Sequence, residues 1–179
     1  MAITKIHPIR RTLNKAVKYI TNPSKTEEEL YVSTYACNRE TLIQDFEYTR
    51  KQAAKGAFEG TTLAQHVIQS FAPGEVTAEQ AHAIGEELAR KLTGNEHEFI
   101  ISTHLDRGHI HNHIIFNQVN FINHKYFKSN IKTTKVLRQL SDELCEAHGL
   151  SVIKSPKAKG KSYYEWQCEK KRNQLQKTS

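Results

Sequence analysis

Four of the chain's ten histidines fall between residues 104 and 113, in the run His104-Leu-Asp-Arg-Gly-His109-Ile-His111-Asn-His113-Ile-Ile-Phe-Asn117. His109, His111 and His113 alternate with Ile110 and Asn112, so on a β-strand they share one face. A row of imidazoles on a rigid sheet holds a metal ion well and fills a core badly. Three neutral imidazoles leave coordination positions open, which is the arrangement of a catalytic site rather than a closed structural one. They also leave the full +2 charge to polarise a bound phosphate oxygen. Asp106 stands close enough in sequence to orient a histidine by accepting its free N–H. The bland alternative, a polar surface strand with scattered histidines, accounts poorly for four in ten residues at strand parity beside a carboxylate.

The ligand set depends on register. Residues 97–104 and 109–119 read as two strands of a hairpin, joined by the turn residues Asp106-Arg107-Gly108. A tight turn pairs His104 with His109. A looser one, with 105–110 as loop, pairs His104 with His111 and puts His113 diagonally across. Directly opposed Cβ atoms sit ~5 Å apart and diagonal ones ~7–8 Å. The looser register gives His104, His111 and His113 with His109 in the loop; the tighter one favours His109 over His113.

The elements that must position this block follow from periodicity. Residues 2–9 alternate like a strand, and 11–20 have helical spacing with Leu13, Ala16, Val17 and Ile20 inward. Pro23 stops that helix. A strand at 30–36, a helix at 40–54 and a strand at 62–71 follow, the last closed by Pro73-Gly74. Thr77 and Gln80 have the spacing of a capping box for a helix running to about Leu92, with Gly94 just beyond its end. A last helix is expected at 133–148, closed by Gly149, and a loosely attached one at 162–176. The order β-α-β-α-β-α-β-β-α indicates an α+β domain: a central, mainly antiparallel sheet of about five strands flanked by helices.

At 179 residues the chain makes one domain, 1–150, with a basic extension at 151–179. No apolar run approaches the ~18 residues of a membrane span and no signal-peptide pattern opens the chain, so the expected compartment is the cytoplasm. Three scattered cysteines, with no CxxC pair, exclude a disulfide framework and a cysteine-rich zinc site. The net charge of +7 is uneven. Residues 1–26 hold six basic and no acidic side chains, 151–179 hold eight and two, and the middle is acidic on balance. Two basic ends on a mildly acidic body point to a polyanionic partner. Arg10, Arg11, Lys15, Lys18 and Lys25 form the N-terminal cluster.

Three motifs recur in order: Lys18-Tyr19-Ile20-Thr21 with Lys25-Thr26; Ser70-Phe71 at a strand end before Gly74; and His104-x-Asp106 with His111-x-His113-x-x-x-Asn117. In these the chain resembles the relaxases of conjugative and mobilizable elements, in the HUH endonuclease superfamily, and among them the P-type (MOBP) mobilization group. The resemblance covers residues 3–150, and its third motif is the most specific.

The resemblance implies a sheet flanked by helices and site-specific nicking of one DNA strand at a transfer origin. Tyr19 is the implied nucleophile, giving a 5′-phosphotyrosyl link and a free 3′-OH. His104, His111 and His113 are the implied ligands of Mn²⁺ or Mg²⁺. Imidazole ligands suit Mn²⁺ better than Mg²⁺, which prefers oxygen. A phenol, with an ordinary pKa of about 10, must lose its proton as it attacks. A histidine or Asp106 is positioned in sequence to accept that proton, and Lys18 or Lys25 to stabilise charge. Ser70 and the N-terminal basic residues are implied DNA contacts. Implied partners are origin-of-transfer DNA, accessory DNA-binding proteins and a type IV secretion coupling protein, with the C-terminal tail leading toward a further region. His109 departs from the three-histidine pattern, as an alternative ligand or a neighbour of the ligands.

Two other classes compete. His109-Ile-His111-Asn-His113 is similar to the triad of nucleotide hydrolases that use a histidine nucleophile, but that family wants a hydrophobic residue at 112 and leaves Tyr19 and the basic ends unexplained. A DNA-binding module without chemistry leaves the histidines unexplained.

Overall fold

A computed structural model describes residues 2–27, 31–53, 62–105 and 108–152. Asp106, Arg107 and the helix expected at 162–176 lie outside the described residues. The elements are β1 (Ala2–Ile9), α1 (Leu13–Ile20), a 3₁₀ turn (Pro23–Lys25), β2 (Val32–Tyr35), α2 (Leu42–Lys51), β3 (Ala64–Phe71), α3 (Ala78–Thr93), β4 (Phe99–His104), β5 (His111–Asn117) and α4 (Ile131–Ala147). This is the expected order. The sheet has five strands in the order β1-β3-β5-β4-β2, every neighbouring pair antiparallel.

The central strand explains the architecture. β5 is buried along its whole length, and its apolar run serves two cores by strand alternation. Ile115 packs with Ile9, Leu13, Ile20, Leu42, Phe46 and Ile100, beneath α1 and α2. Ile114 and Phe116 face the other way, against Ala81, Ile84, Leu88, Leu137 and Leu144 of α3 and α4. The histidines share parity with Ile115 and so lie on the α1 side.

On the opposite face, behind the histidines, a polar network pins the strands. Thr103 Oγ1 donates to Asn112 Oδ1 (2.7 Å), and Asn112 Nδ2 donates to Gln69 Oε1 (3.0 Å) and the Ala81 carbonyl (2.7 Å). Gln69 in turn donates to Ser141 Oγ at 2.9 Å. Gly85 lets α3 come this close: a Cβ there would lie 2.5 Å from Asn112 Nδ2.

Two details of the helix ends differ from expectation. Thr77 accepts from Gln80 N at 3.1 Å, but the Gln80 side chain reaches the His148 carbonyl instead of closing a capping box. A complete box forms at α4, where Asn130 and Thr133 cap each other's backbone, and the helix starts at Ile131 rather than 133. Gly94 closes α3 in the left-handed conformation, φ +63°. Among the described residues no helix is long and apolar enough to cross a membrane.

Candidate active site

The observed register is the looser of the two: His104 pairs with His111, and Ser102 with His113. β5 begins at His111, leaving His109 and Ile110 in the loop. His104, His111 and His113 are buried, and each offers a ring nitrogen within 4.8 Å of the others. Their ring centroids stand 4.3 Å (His104–His113), 5.1 Å (His104–His111) and 5.0 Å (His111–His113) apart. His109 lies outside this group, its ring tilted 38° to that of His111 at a centroid distance of 5.2 Å.

The protonation pattern suits a cation. His104 Nε2 lies 2.8 Å from the Ile20 carbonyl. A carbonyl only accepts, so Nε2 carries the hydrogen and Nδ1 keeps its lone pair. His113 Nδ1 lies 2.9 Å from His66 Nε2, while His113 Nε2 is buried with no hydrogen-bond partner. Burial, then the neighbouring His104, His66 and His111 rings and Lys25, push the His113 pKa down to about 2. Its ring is neutral at ordinary pH, the state a metal ligand needs. A divalent cation therefore fits the donor set.

Tyr19 reaches this site because α1 crosses the sheet face and ends over it. Leu13 and Ile20 are buried, while Tyr19, on the next helical position, is 47% exposed. Its ring stands edge-on to His104 and His113, at centroid distances of 5.8 and 6.0 Å. The chain then folds back through a tight turn: Asn22 Oδ1 accepts from Ser24 N and Oγ, and Thr26, fully buried, donates to the Asn22 carbonyl. This turn sets Lys25 Nζ 5.3 Å from the Tyr19 ring centre, and the Lys25 carbonyl accepts from Leu105 N, just past His104. The Lys-Tyr-Ile-Thr…Lys-Thr segment is thus fastened to the histidine strand at two points.

The remaining nominated residues divide. Ser70 pairs with His111 across β3–β5 and lies beside the triad. Lys18 is exposed on α1 next to Tyr19. Lys15 is exposed a turn earlier, and Arg10 and Arg11 follow the end of β1 that pairs, through Ala64, with Asn117, away from the histidines. Asn117 itself does not join the triad: it donates to the Phe46 carbonyl and to Glu98, both at 3.1 Å, and ties β5 to α2.

Sequence reasoning missed His66 and the Ile20 carbonyl. His66 shares strand parity with Ser70, which was a usable signal, but only the β3–β5 pairing brings it to His113. An open concavity of about 810 Å³ at the far end of β4, lined by Cys37, Asp45, Tyr48 and Glu98, is remote from this chemistry. Burial, with Glu98 and Asp45 nearby, pushes the Cys37 thiol up to about 12.

The chain belongs to the relaxase family: the family model for the MobA/VirD2-like nuclease domain matches residues 19–150. It is 37% identical over 165 residues to the Rlx protein of Staphylococcus aureus, covering 92% of this chain and 46% of that protein. It is 33% identical over 194 residues to the group II intron-interrupted relaxase LtrB of Lactococcus lactis subsp. cremoris, covering 88% of this chain and 34% of that one. The chain thus spans less than half the length of these curated relatives. Among solved structures, the MobM relaxase domain (MOBV; Mob_Pre) bound to a 26-nucleotide pMV158 oriT DNA superposes with a TM-score of 0.61 at 18% identity, over 92% of this chain and 98% of that one. A structure from work on vancomycin-resistance transfer in Staphylococcus aureus gives 0.58 at 13% identity, over 88% of this chain and 99% of that one. At those identities the likeness is one of fold.

Proposed function

We propose that this domain, residues 1–150, nicks one strand of DNA at a transfer origin, as the catalytic part of a P-type (MOBP) mobilization relaxase. The observation that carries the reading is Tyr19, partly exposed and edge-on to two of three clustered histidines. The Tyr19 oxygen gives up its proton and bonds to the scissile phosphorus. The bond from phosphorus to the 3′ oxygen breaks, and that oxygen takes a proton to become a free 3′-OH. The 5′ phosphate stays esterified to Tyr19, so the exchange of one phosphodiester for another is reversible without ATP.

His104, His111 and His113 would hold a divalent cation, which would supply positive charge against the phosphate oxygens; imidazole ligands favour Mn²⁺ over Mg²⁺. The Lys25 ammonium adds a fixed charge beside the nucleophile. Ser70 lies on the same face for a contact to DNA, and exposed Arg10, Arg11, Lys15 and Lys18 are available to phosphates along the strand. Asp106 is kept as an orienting or proton-accepting group. The solved MobM domain bound to a 26-nucleotide oriT DNA supports origin DNA as the substrate, which this reading takes in single-stranded or supercoiled form. Accessory DNA-binding proteins, a coupling protein, a cytoplasmic site of action, and residues 151–179 as a basic lead into a further region complete the reading.

The hydrolase alternative loses ground at Asn112, which faces away from the triad into the Thr103–Gln69 network. A supercoiled origin plasmid incubated with the protein and Mn²⁺ tests the proposal. Nicked circles should appear on an SDS-treated gel and disappear with a chelator. Hydrolysis of a nucleotide phosphoramidate without nicking would reverse it.

A further inference from the structure

His66 sits on β3, across from Ile115 on β5 and His7 on β1. Its ring is buried, its centroid 5.1 Å from His113 and 4.8 Å from the more exposed His7. Between His66 Nε2 and His113 Nδ1 the distance is 2.9 Å. A hydrogen bond between two neutral imidazoles has one donor and one acceptor. His113 Nε2 is the atom buried without a hydrogen-bond partner, and a ligand nitrogen must present a lone pair. The His113 hydrogen then resides on Nδ1 and is donated to His66 Nε2, which fixes the His66 hydrogen on its own Nδ1.

We propose that His66 is a positioning residue for the metal site: it accepts the Nδ1–H of His113 and holds that ring with Nε2 toward the cation shared with His104 and His111. This rests on the metal-site reading above. His66 does for His113 what the Ile20 carbonyl does for His104. It acts from behind the ligand, because the two nitrogens of one imidazole point in diverging directions, so it is not a fourth ligand. An imidazole acceptor also brings no negative charge, and the cation keeps its full charge for the phosphate. Such partners fix both the tautomer and the ring orientation of a ligand, and losing one weakens metal binding by about 10–100-fold.

The test compares Mn²⁺ affinity by titration calorimetry for the intact chain, His66→Leu, His66→Gln and His113→Ala, with metal-free thermal unfolding as a folding control. His66→Leu fills much of the space but accepts nothing, and it should bind Mn²⁺ about 10–100-fold more weakly. His66→Gln keeps an acceptor near the Nε2 position and should stay within a few-fold of the parent. Equal affinity for Leu and parent, or equal loss for Leu and Gln, overturns the proposal. If His113→Ala also binds Mn²⁺ at parental strength, the metal-site reading itself has failed, whereas loss confined to His113→Ala rejects only the role of His66. Should His66→Leu not fold, long-range ¹⁵N–¹H spectra of the parent protein loaded with diamagnetic Zn²⁺ decide the matter. Hydrogen on His113 Nδ1 is expected; hydrogen on His113 Nε2 overturns the proposal.

Discussion

His104 Nε2 donates to the carbonyl of Ile20 across 2.8 Å, joining a ring of the histidine triad to the residue next to Tyr19. The last carbonyls of a helix lack intrahelical partners, and here one of them, at the end of α1, is satisfied by the sheet. The end of the helix that carries Tyr19 is therefore anchored to a candidate metal ligand 84 residues away in sequence.

That link joins the proposed nucleophile and the proposed metal site in one mechanical unit. Mn²⁺ should slow amide hydrogen exchange around residues 19–22 in the parent protein and leave it unchanged in His104→Ala. Exchange there that ignores Mn²⁺ in the parent would show that the two halves of the site are uncoupled.

Metal binding should appear as stability. A ligand at about 100 times its Kd stabilises by about 2.7 kcal/mol, worth about 5–10 °C in Tm for a domain of this size. Thermal unfolding with and without Mn²⁺ should show this increment in the parent and in His109→Ala, and lose it in His113→Ala. Loss in His109→Ala with retention in His113→Ala would exchange the two residues in the ligand set.

Much of this arrangement can be read from residue order, because the determining signals are local. Strand parity puts His109, His111 and His113 on one face, either hairpin register adds His104, the resemblance selects His104, His111 and His113, and helical spacing turns Leu13 and Ile20 inward, where they are buried. Non-local pairings are different. That β3 lies between β1 and β5 depends on the sum of two cores, so the approach of His66 to His113 carries no sequence spacing of its own. The Gln80 side chain likewise abandons a capping box for the His148 carbonyl because α4 packs alongside α3, a contact 68 residues away.

Asn117 belongs to the histidine motif in sequence but to the α2 anchor in space. Asn117→Ala removes a second, side-chain donor from the Phe46 carbonyl and one donor from Glu98, a loss of about 1–3 kcal/mol. Denaturant unfolding should show this cost while Mn²⁺ affinity stays within a few-fold of the parent. A large loss of metal affinity with unchanged stability would return Asn117 to the active site.

Acid should destabilise the fold through its buried histidines. Burial lowers the proton affinity of His97, against its bond to the Asn117 carbonyl and the pull of Glu96. It does the same for His82, against Glu86. Free imidazole titrates near ~6.5. Above that pH both states are neutral and these groups add no pH dependence. Below it the unfolded chain binds more protons than the folded one, so stability falls with pH. His66, pushed to about 4, and His113 act in the same direction in metal-free protein. Tm should be flat from about pH 8 to 7 and decline by about pH 5; a Tm that rises over that interval contradicts these assignments.

The most direct measurement concerns Tyr19. An origin oligonucleotide labelled on the 3′ side of the nick is incubated with protein and Mn²⁺, denatured, and resolved by gel, and the adduct is mapped by peptide mass spectrometry. The parent protein should carry the label covalently on Tyr19, and Tyr19→Phe should bind the DNA yet form no adduct. Undiminished adduct from Tyr19→Phe, or a DNA-linked peptide lacking Tyr19, would contradict the account.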